Sequence, residues 1–218
     1  MPHTYWKDLI DELEGAEYRF GIITPSTPVY HVKFDAGLTD AEVRETEALF
    51  GFRFPPDLRG FLQTALPWGP LFPDWRSGDD DELREWLDRP RQGVLFDVEH
   101  TGFWLEEWGP RPGSLDEALE VVNRLVEAAP RLIPIFSHRM MPDEPHLQGN
   151  PVFSVHQTDI IFYGSNLEVY LRREFGLDDQ DPGFGNEAPI RFWDVDRFQE
   201  VRWANGPCVF DNSKGVLP

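Results

Sequence analysis

The segment GNPVFSVHQTDIIFYGSNLEVYLRREFG, Gly149 to Gly176, holds the residues best suited to chemistry. Ser154 and His156 lie two apart, so on a strand they share a face, and Asp159 follows across a short turn. A serine, a base and an orienting carboxylate are the parts of a nucleophilic hydrolase. The supporting features are missing from the sequence: it has no G-x-S-x-G elbow and no glycine-rich oxyanion loop. Neighbouring serine and histidine on one strand face more often bond locally, and Asp159 is expected to accept backbone N–H groups in the turn. A second constellation is His100, His138, His146 and His156 with Asp97, Glu99, Asp143 and Glu144 nearby in sequence. These are metal-ligand types, yet no H-E-x-x-H, C-x-x-C or P-loop spacing joins them. If residues 97–100 form a strand, Asp97 and Glu99 face one side and His100 the other. The 39 acidic residues single out no carboxylate pair for glycoside hydrolysis. No cofactor or metal is assigned. A metal- or histidine-dependent hydrolase on His100, His138, His156, Asp97 and Asp159 stays open as a rival reading.

The aromatic residues suggest binding instead. LPWGPLFPDWRSGDDDE puts Trp68, Phe72 and Trp75 beside prolines and a run of acids, off any clean periodic face. Trp104 and Trp108 flank Glu106 and Glu107. Tryptophan dominates protein-binding hot spots, although most tryptophans complete a core. The acidic-aromatic segment Asp74, Trp75, Asp79, Asp80, Asp81 and Glu82 is the expected partner surface, with Trp75 open to either role. A net charge of −19 argues against nucleic acid as a partner and favours a basic protein. Acidity also has a plainer use, in keeping a protein soluble.

The elements that must position these residues follow from periodicity and punctuation. Trp6, Leu9, Ile10 and Leu13 are spaced for a short amphipathic helix. YRFGIITPSTPVYHVKF reads as a hairpin or two edge strands broken by Pro25 and Pro28. Thr39 and Glu42 form a capping box, Leu38 and Val43 a hydrophobic staple, and Gly51 a left-handed stop. Pro56 suits the first position of a second helix, which Pro67 and Gly69 end. The acidic stretch from Asp79 predicts one or two helical turns. VLFDVEHTGFWLEEWG predicts a strand, a turn and a strand. Ser114 and Glu117 predict a second capping box, for a helix that runs to Pro130, and RLIPIF is a strand whose proline places it at an edge. VFSVH and IIFYG are strands joined by Gln157, Thr158 and Asp159, the second ending at Gly164. Ser165 and Glu168 predict a third capping box, for a helix over 166–175 that stops at Gly176. DDQDPGFGNEAP, 178–189, is expected to be a surface loop, and IRFWDVDRFQEVRW is either a helix or a strand. Strands that pair through turns, with helices set apart from them, make an α+β fold. At 218 residues with 40% hydrophobic content, one domain can bury a sizeable core unaided. The single cysteine, the absence of a basic-then-apolar leader and the lack of a long apolar run lead to the expectation of a cytoplasmic protein with no membrane partner.

LTDAEVRETEALFGFRFPPDLRGFLQTALPWG resembles the opening helical hairpin of the SUKH superfamily, which includes Smi/Knr-type cell-wall assembly regulators and many bacterial immunity proteins. Pro55, Pro56, Asp57, Leu58, Phe61, Leu62 and Gly69 match that pattern, whereas Trp68 stands where an asparagine is expected. LIPIFSH and NPVFSVHQTDIIFYGSNLEVYLRREF resemble the later strands and final helix, so the likeness runs from about 38 to 175. The resemblance implies an α+β domain, here 1–218 with a core of about 36–200 and an N-terminal extension over 1–35, whose helical hairpin packs on a mostly antiparallel sheet. It implies no catalytic residue. It implies a protein-binding module, such as an immunity protein that neutralises a basic toxin domain, often a nuclease. A regulatory scaffold without a toxin is the alternative. Pro56, Gly69, Asp159 and Gly164 are then structural positions.

Overall fold

The computed structural model describes residues 3–21, 23–178 and 190–204. The expected loop at 178–189 lies outside the described residues apart from Asp178. The fold is α+β, with helices on both faces of a four-stranded antiparallel sheet and two short ribbons beside it. No helix among the described residues is long and apolar enough to cross a membrane.

Helix α1 is His3–Leu13, and its stripe of Trp6, Leu9, Ile10 and Leu13 is buried. Strands β1 (Glu17–Tyr18) and β2 (Tyr30–His31) pair, as do β3 (Lys33–Ala36) and β4 (Ala65–Trp68). Between them stand α2 (Asp40–Phe50) and α3 (Pro56–Thr64). Both bonds of the Thr39–Glu42 capping box form, and Gly51 ends α2 at φ 70°. Pro56 is the first residue of α3, where its missing N–H costs nothing. Asp57 is 3% exposed, and its Oδ2 accepts a 2.5 Å bond from the Gly149 N–H, fastening the loop before β7 to the start of α3. Strand β4 departs from expectation: Ala65 leaves the helix and Pro67 pairs with Phe34, and Gly69 follows at φ 129°. Proline is admissible there because the ribbon has open edges.

Helix α4, Asp80–His100, is the main correction. The expected strand from Val94 does not form; one helix runs through Pro90 and Gly93. Leu83, Pro90, Val94, Asp97 and Val98 are buried along a stripe of helical period. That stripe outweighs the one bond that a proline removes. Asp97 and His100 therefore do not alternate across a sheet. A 3-10 turn, Glu106–Trp108, follows where a second strand was expected. Ser114 caps α5 (Leu115–Glu127) by accepting from the Glu117 N–H, but only this half of the expected capping box forms among the described residues.

Strands β5 (Leu132–Phe136), β6 (Arg139–Pro142), β7 (Val152–His156) and β8 (Asp159–Gly164) follow one another in the sheet, with β5 at an edge as its proline requires. Helix α6 is Leu167–Glu174 and α7 is Val195–Ala204. The third cap is displaced by one residue: Asn166, not Ser165, accepts from the Val169 N–H, and the buried Ser165 hydroxyl has no partner among the described residues. Gly164 leaves no space for a side chain, because a Cβ there would lie 2.5 Å from the Tyr170 Cβ and 2.8 Å from its Cα.

The sheet separates two cores. Ile133, Ile135, Met141 and Val152 face a core shared with α1, α2, α3 and α6. Leu132, Met140, Phe153, Val155 and Ile160 face another, shared with α4, α5 and α7. Trp6, Leu9, Ile10 and Leu13 belong to the first core, so helix α1 is built into it.

The cap of α2 carries a pH dependence. Arg76 donates to Glu42 at 2.6 Å, and the Thr39 N–H and hydroxyl donate to the same carboxylate. The Arg76 bond, more than the Thr39 bonds, holds the Glu42 pKa down to about 2. The folded pKa is depressed, so this stabilisation is present above the unfolded value of about 4.5 and is lost as pH falls from there towards 2. Glu42→Gln should flatten the acid-unfolding curve over that window, as followed by circular dichroism. A wild-type slope in the variant would show that the carboxylate is not the titrating group.

Candidate functional site

The residues that suggested a nucleophilic cluster do not assemble as one. Ser154 is 9% exposed and faces His156 along β7, as the period requires. Its hydroxyl, however, accepts from Arg139 Nη1 at 2.7 Å rather than from a histidine. His156 pairs across the strands with Asp159. The turn between them is Gln157 and Thr158, with Gln157 at φ 56°.

Asp159 does not cap that turn. Its carboxylate instead accepts from Gln199 Nε2 at 3.1 Å and lies 3.5 Å from Arg202 Nη2, tying β8 to α7. The carboxylate that holds the turn is Asp97 of α4, 1% exposed, which accepts from the Thr158 N–H at 3.0 Å and its hydroxyl at 2.5 Å. Gly93, one helical turn earlier, brings the two backbones together; a Cβ there would lie 2.6 Å from the Gln157 Cα. The polar stretch that raised a catalytic question is thus docked on α4 by one carboxylate and one missing side chain.

The histidines are dispersed. His100, at the last residue of α4, is exposed and stacks on Phe96 with ring centroids 4.1 Å apart. His146 Nδ1 is buried and has no partner among the described residues. His138 sits in the β5–β6 turn, where partial burial, then Arg139 and His156, lowers its pKa to about 4. Among the described residues no group of three or more His, Cys, Asp or Glu is placed to hold a metal ion.

The acidic-aromatic segment divides into two parts. Trp75 is 5% exposed and packs edge-on against Phe50, Phe52 and Phe54, at centroid distances of 6.2, 5.8 and 5.2 Å. Its expected place on a partner surface is therefore corrected, because the three rings of 50–54 recruit it into the core. Asp74, Asp79, Asp80, Asp81 and Glu82 are all exposed. Asp74 closes a turn by accepting from the Arg76 and Ser77 N–H groups at 3.1 and 2.9 Å. Arg76 then reaches back to Glu42 and to the carbonyls of Ala36 and Gly37. Asp79 caps α4, accepting from the Asp81 and Glu82 N–H groups. Asp80, Asp81 and Glu82 fill the first helical turn, where carboxylates stabilise the helix dipole. Arg84 forms an ion pair with Asp81 at 3.6 Å and lies over the Phe50 ring. Leu49, next to Phe50, is 48% exposed. The result is a fixed, acid-covered rim over an aromatic base.

Sequence reasoning passed over Arg139 and Glu174, which form an ion pair at 3.3 Å with side chains 12% and 17% exposed. Burial raises the Glu174 pKa, against the pull of Arg139. Nothing in the local pattern FSHRMMP marks Arg139, because its partners Ser154 and Glu174 come from β7 and α6. Scans against protein-family models, curated proteins and solved structures each returned no match.

Proposed function

We propose that the chain is a non-catalytic protein-binding module that docks a basic protein on the acidic rim formed by Asp74 and Asp79 to Glu82. The observation that carries this reading is the rim itself: five exposed carboxylates, two of them locked by backbone hydrogen bonds, on a chain of net charge −19. A rigid rim of one sign steers an oppositely charged partner and orders little on binding. With the SUKH-like helical hairpin, the reading becomes an immunity protein acting inside the cell, its partner a basic toxin domain of the nuclease kind. Without Trp75, the apolar part of such an interface falls to Leu49 and the Arg84–Phe50 pair.

The test compares wild type with Asp80→Lys/Glu82→Lys. Asp79 is left intact because it caps α4, and Asp81 because it meets Arg84. Each is used to capture protein from the native cell at low and then raised salt, with mass spectrometry of what is retained. A basic protein held by wild type at low salt, released by raised salt and lost from the variant is the expected result. Association followed by stopped flow with that protein should slow by about tenfold or more, with a flatter salt dependence. Equal retention by the two proteins through the same salt steps would remove the rim from the interface.

A further inference from the structure

The loop between β6 and β7, residues 143–150, inverts the usual sorting of side chains. Leu147, at 62% exposed, is the most exposed large hydrophobic residue among those described. His146, beside it, turns its Nδ1 inward, where it is buried with no partner among the described residues. Packing alone favours the reverse, with the leucine inside and the imidazole in water. A single surface leucine on a slack loop is ordinary. This loop is not slack.

Two of the six buried polar or charged side chains among the described residues, Asn150 and Asp57, hold it in place. Asn150 Nδ2 donates to the Pro142 carbonyl at 3.1 Å and to the Pro145 carbonyl at 2.8 Å, bracing the base of the loop against its middle. Asp57 of α3 accepts from the Gly149 N–H at 2.5 Å. At the other end Asp143 donates its N–H to the Arg131 carbonyl at 2.9 Å, and its carboxylate accepts from the Arg131 N–H at 2.8 Å. The Leu147 N–H itself donates to the Pro145 carbonyl at 2.7 Å. The leucine is therefore displayed on backbone that is fixed before any partner arrives, which lowers the ordering cost of binding. Buried groups that brace an exposed apolar tip suit a binding loop better than a mere connection.

The same bracing leads back to the acidic rim. Arg131, paired with Asp143, donates through Nη1 to the Phe50 carbonyl at 2.6 Å. The Phe50 ring lies under Arg84, which is paired with Asp81 of the rim, and Leu49 beside it is exposed. Leu147 is four residues from Asp143, a reach of at most about 14 Å. A standard interface takes about 800 Å² from each partner, a patch about 30 Å across, so rim, Leu49 and loop fit within one. We propose that Leu147 is the apolar anchor of the basic protein that the rim attracts, inserted into an apolar pocket of that partner. The inference rests on the reading of the rim as a docking surface, and it supplies the apolar contact that the burial of Trp75 removes.

A photoreactive diazirine amino acid is placed at position 147, 49 or 23 of the full chain in the native cell, with and without Asp80→Lys/Glu82→Lys. Ile23 is the control, because it is as exposed, at 60%, but belongs to the β1–β2 connection. Positions 147 and 49 are expected to crosslink the same basic protein, position 23 is not, and the rim variant should lower both yields. With that protein in stopped flow, Leu147→Ser should speed dissociation by about thirtyfold and leave association and its salt dependence unchanged. The rim variant should instead slow association. An unchanged urea midpoint certifies the fold of Leu147→Ser. A crosslink at 49 without one at 147, or a Leu147→Ser complex as long-lived as wild type, overturns the anchor and leaves the rim standing. A crosslink at 147 that is indifferent to Asp80→Lys/Glu82→Lys, with a complex that Leu147→Ser shortens, upholds the anchor and removes the rim. A yield at 147 no greater than at 23 overturns the anchor whatever the rim does.

Discussion

Trp75→Ala is expected to lower the unfolding free energy by about 3–5 kcal/mol, the range for deleting a buried aromatic side chain. The indole is 5% exposed and meets three phenylalanines at 5.2–6.2 Å, so its removal leaves a cavity that Phe50, Phe52 and Phe54 cannot all collapse into. The effect should appear as a lower urea midpoint with little change in slope. It should also loosen the rim above, since Asp74 and Arg76 are chain neighbours of the indole. A shift in midpoint equivalent to under about 1 kcal/mol would mean that Trp75 is a surface residue after all. A loss of partner capture by Trp75→Ala is then to be read through stability first. Asp80→Lys/Glu82→Lys separates the two effects, because those side chains touch no core.

Asp97→Ala is the second large effect, at about 3 kcal/mol. Truncation leaves the Thr158 N–H and hydroxyl without their acceptor in a site where Thr158 is 1% exposed. Asp97→Asn keeps one carbonyl oxygen aimed at Thr158 and should cost clearly less. Equilibrium denaturation of the two variants distinguishes a hydrogen-bonding role from one that needs the charge. Equal, small losses in both would show that the turn is held by strand pairing alone.

These two residues also show where sequence is legible. The caps at Thr39 and Ser114, the proline at the head of α3, the glycine after α2 and the edge position of β5 were all readable, because each rests on residues within a few positions of one another. The course of α4 was not. Pro90 and Gly93 read as punctuation, and residues 94–100 alone alternate well enough for a strand; only the stripe from Leu83 to Val98 reveals the helix. Asp97 could be named from its residue type but not given its task, since Thr158 lies 61 positions away. Trp75 was open to a surface role because its own neighbours are acidic, while the rings that bury it come from the end of α2 and the link to α3. The cluster around Arg139 was invisible for the same reason: its partners converge through the sheet and α6. The displaced cap at Asn166 was a closer miss, a choice between adjacent residues that both suit the position.

The placement of a core on each side of the β5–β8 sheet has a consequence for register. In a sheet with one wet face, sliding a strand by one residue exchanges apolar for polar side chains on a single face. Here the same slip would drive Ser154 and His156 of β7 towards α4 and α5, and turn Phe153 and Val155 towards α6. Each misalignment is penalised from both directions at once. The Asp97 bond adds a third check, because it can form only when Thr158 occupies the tip of the turn. A strand pair so constrained can carry the Ser154 hydroxyl between two apolar layers without losing its alignment.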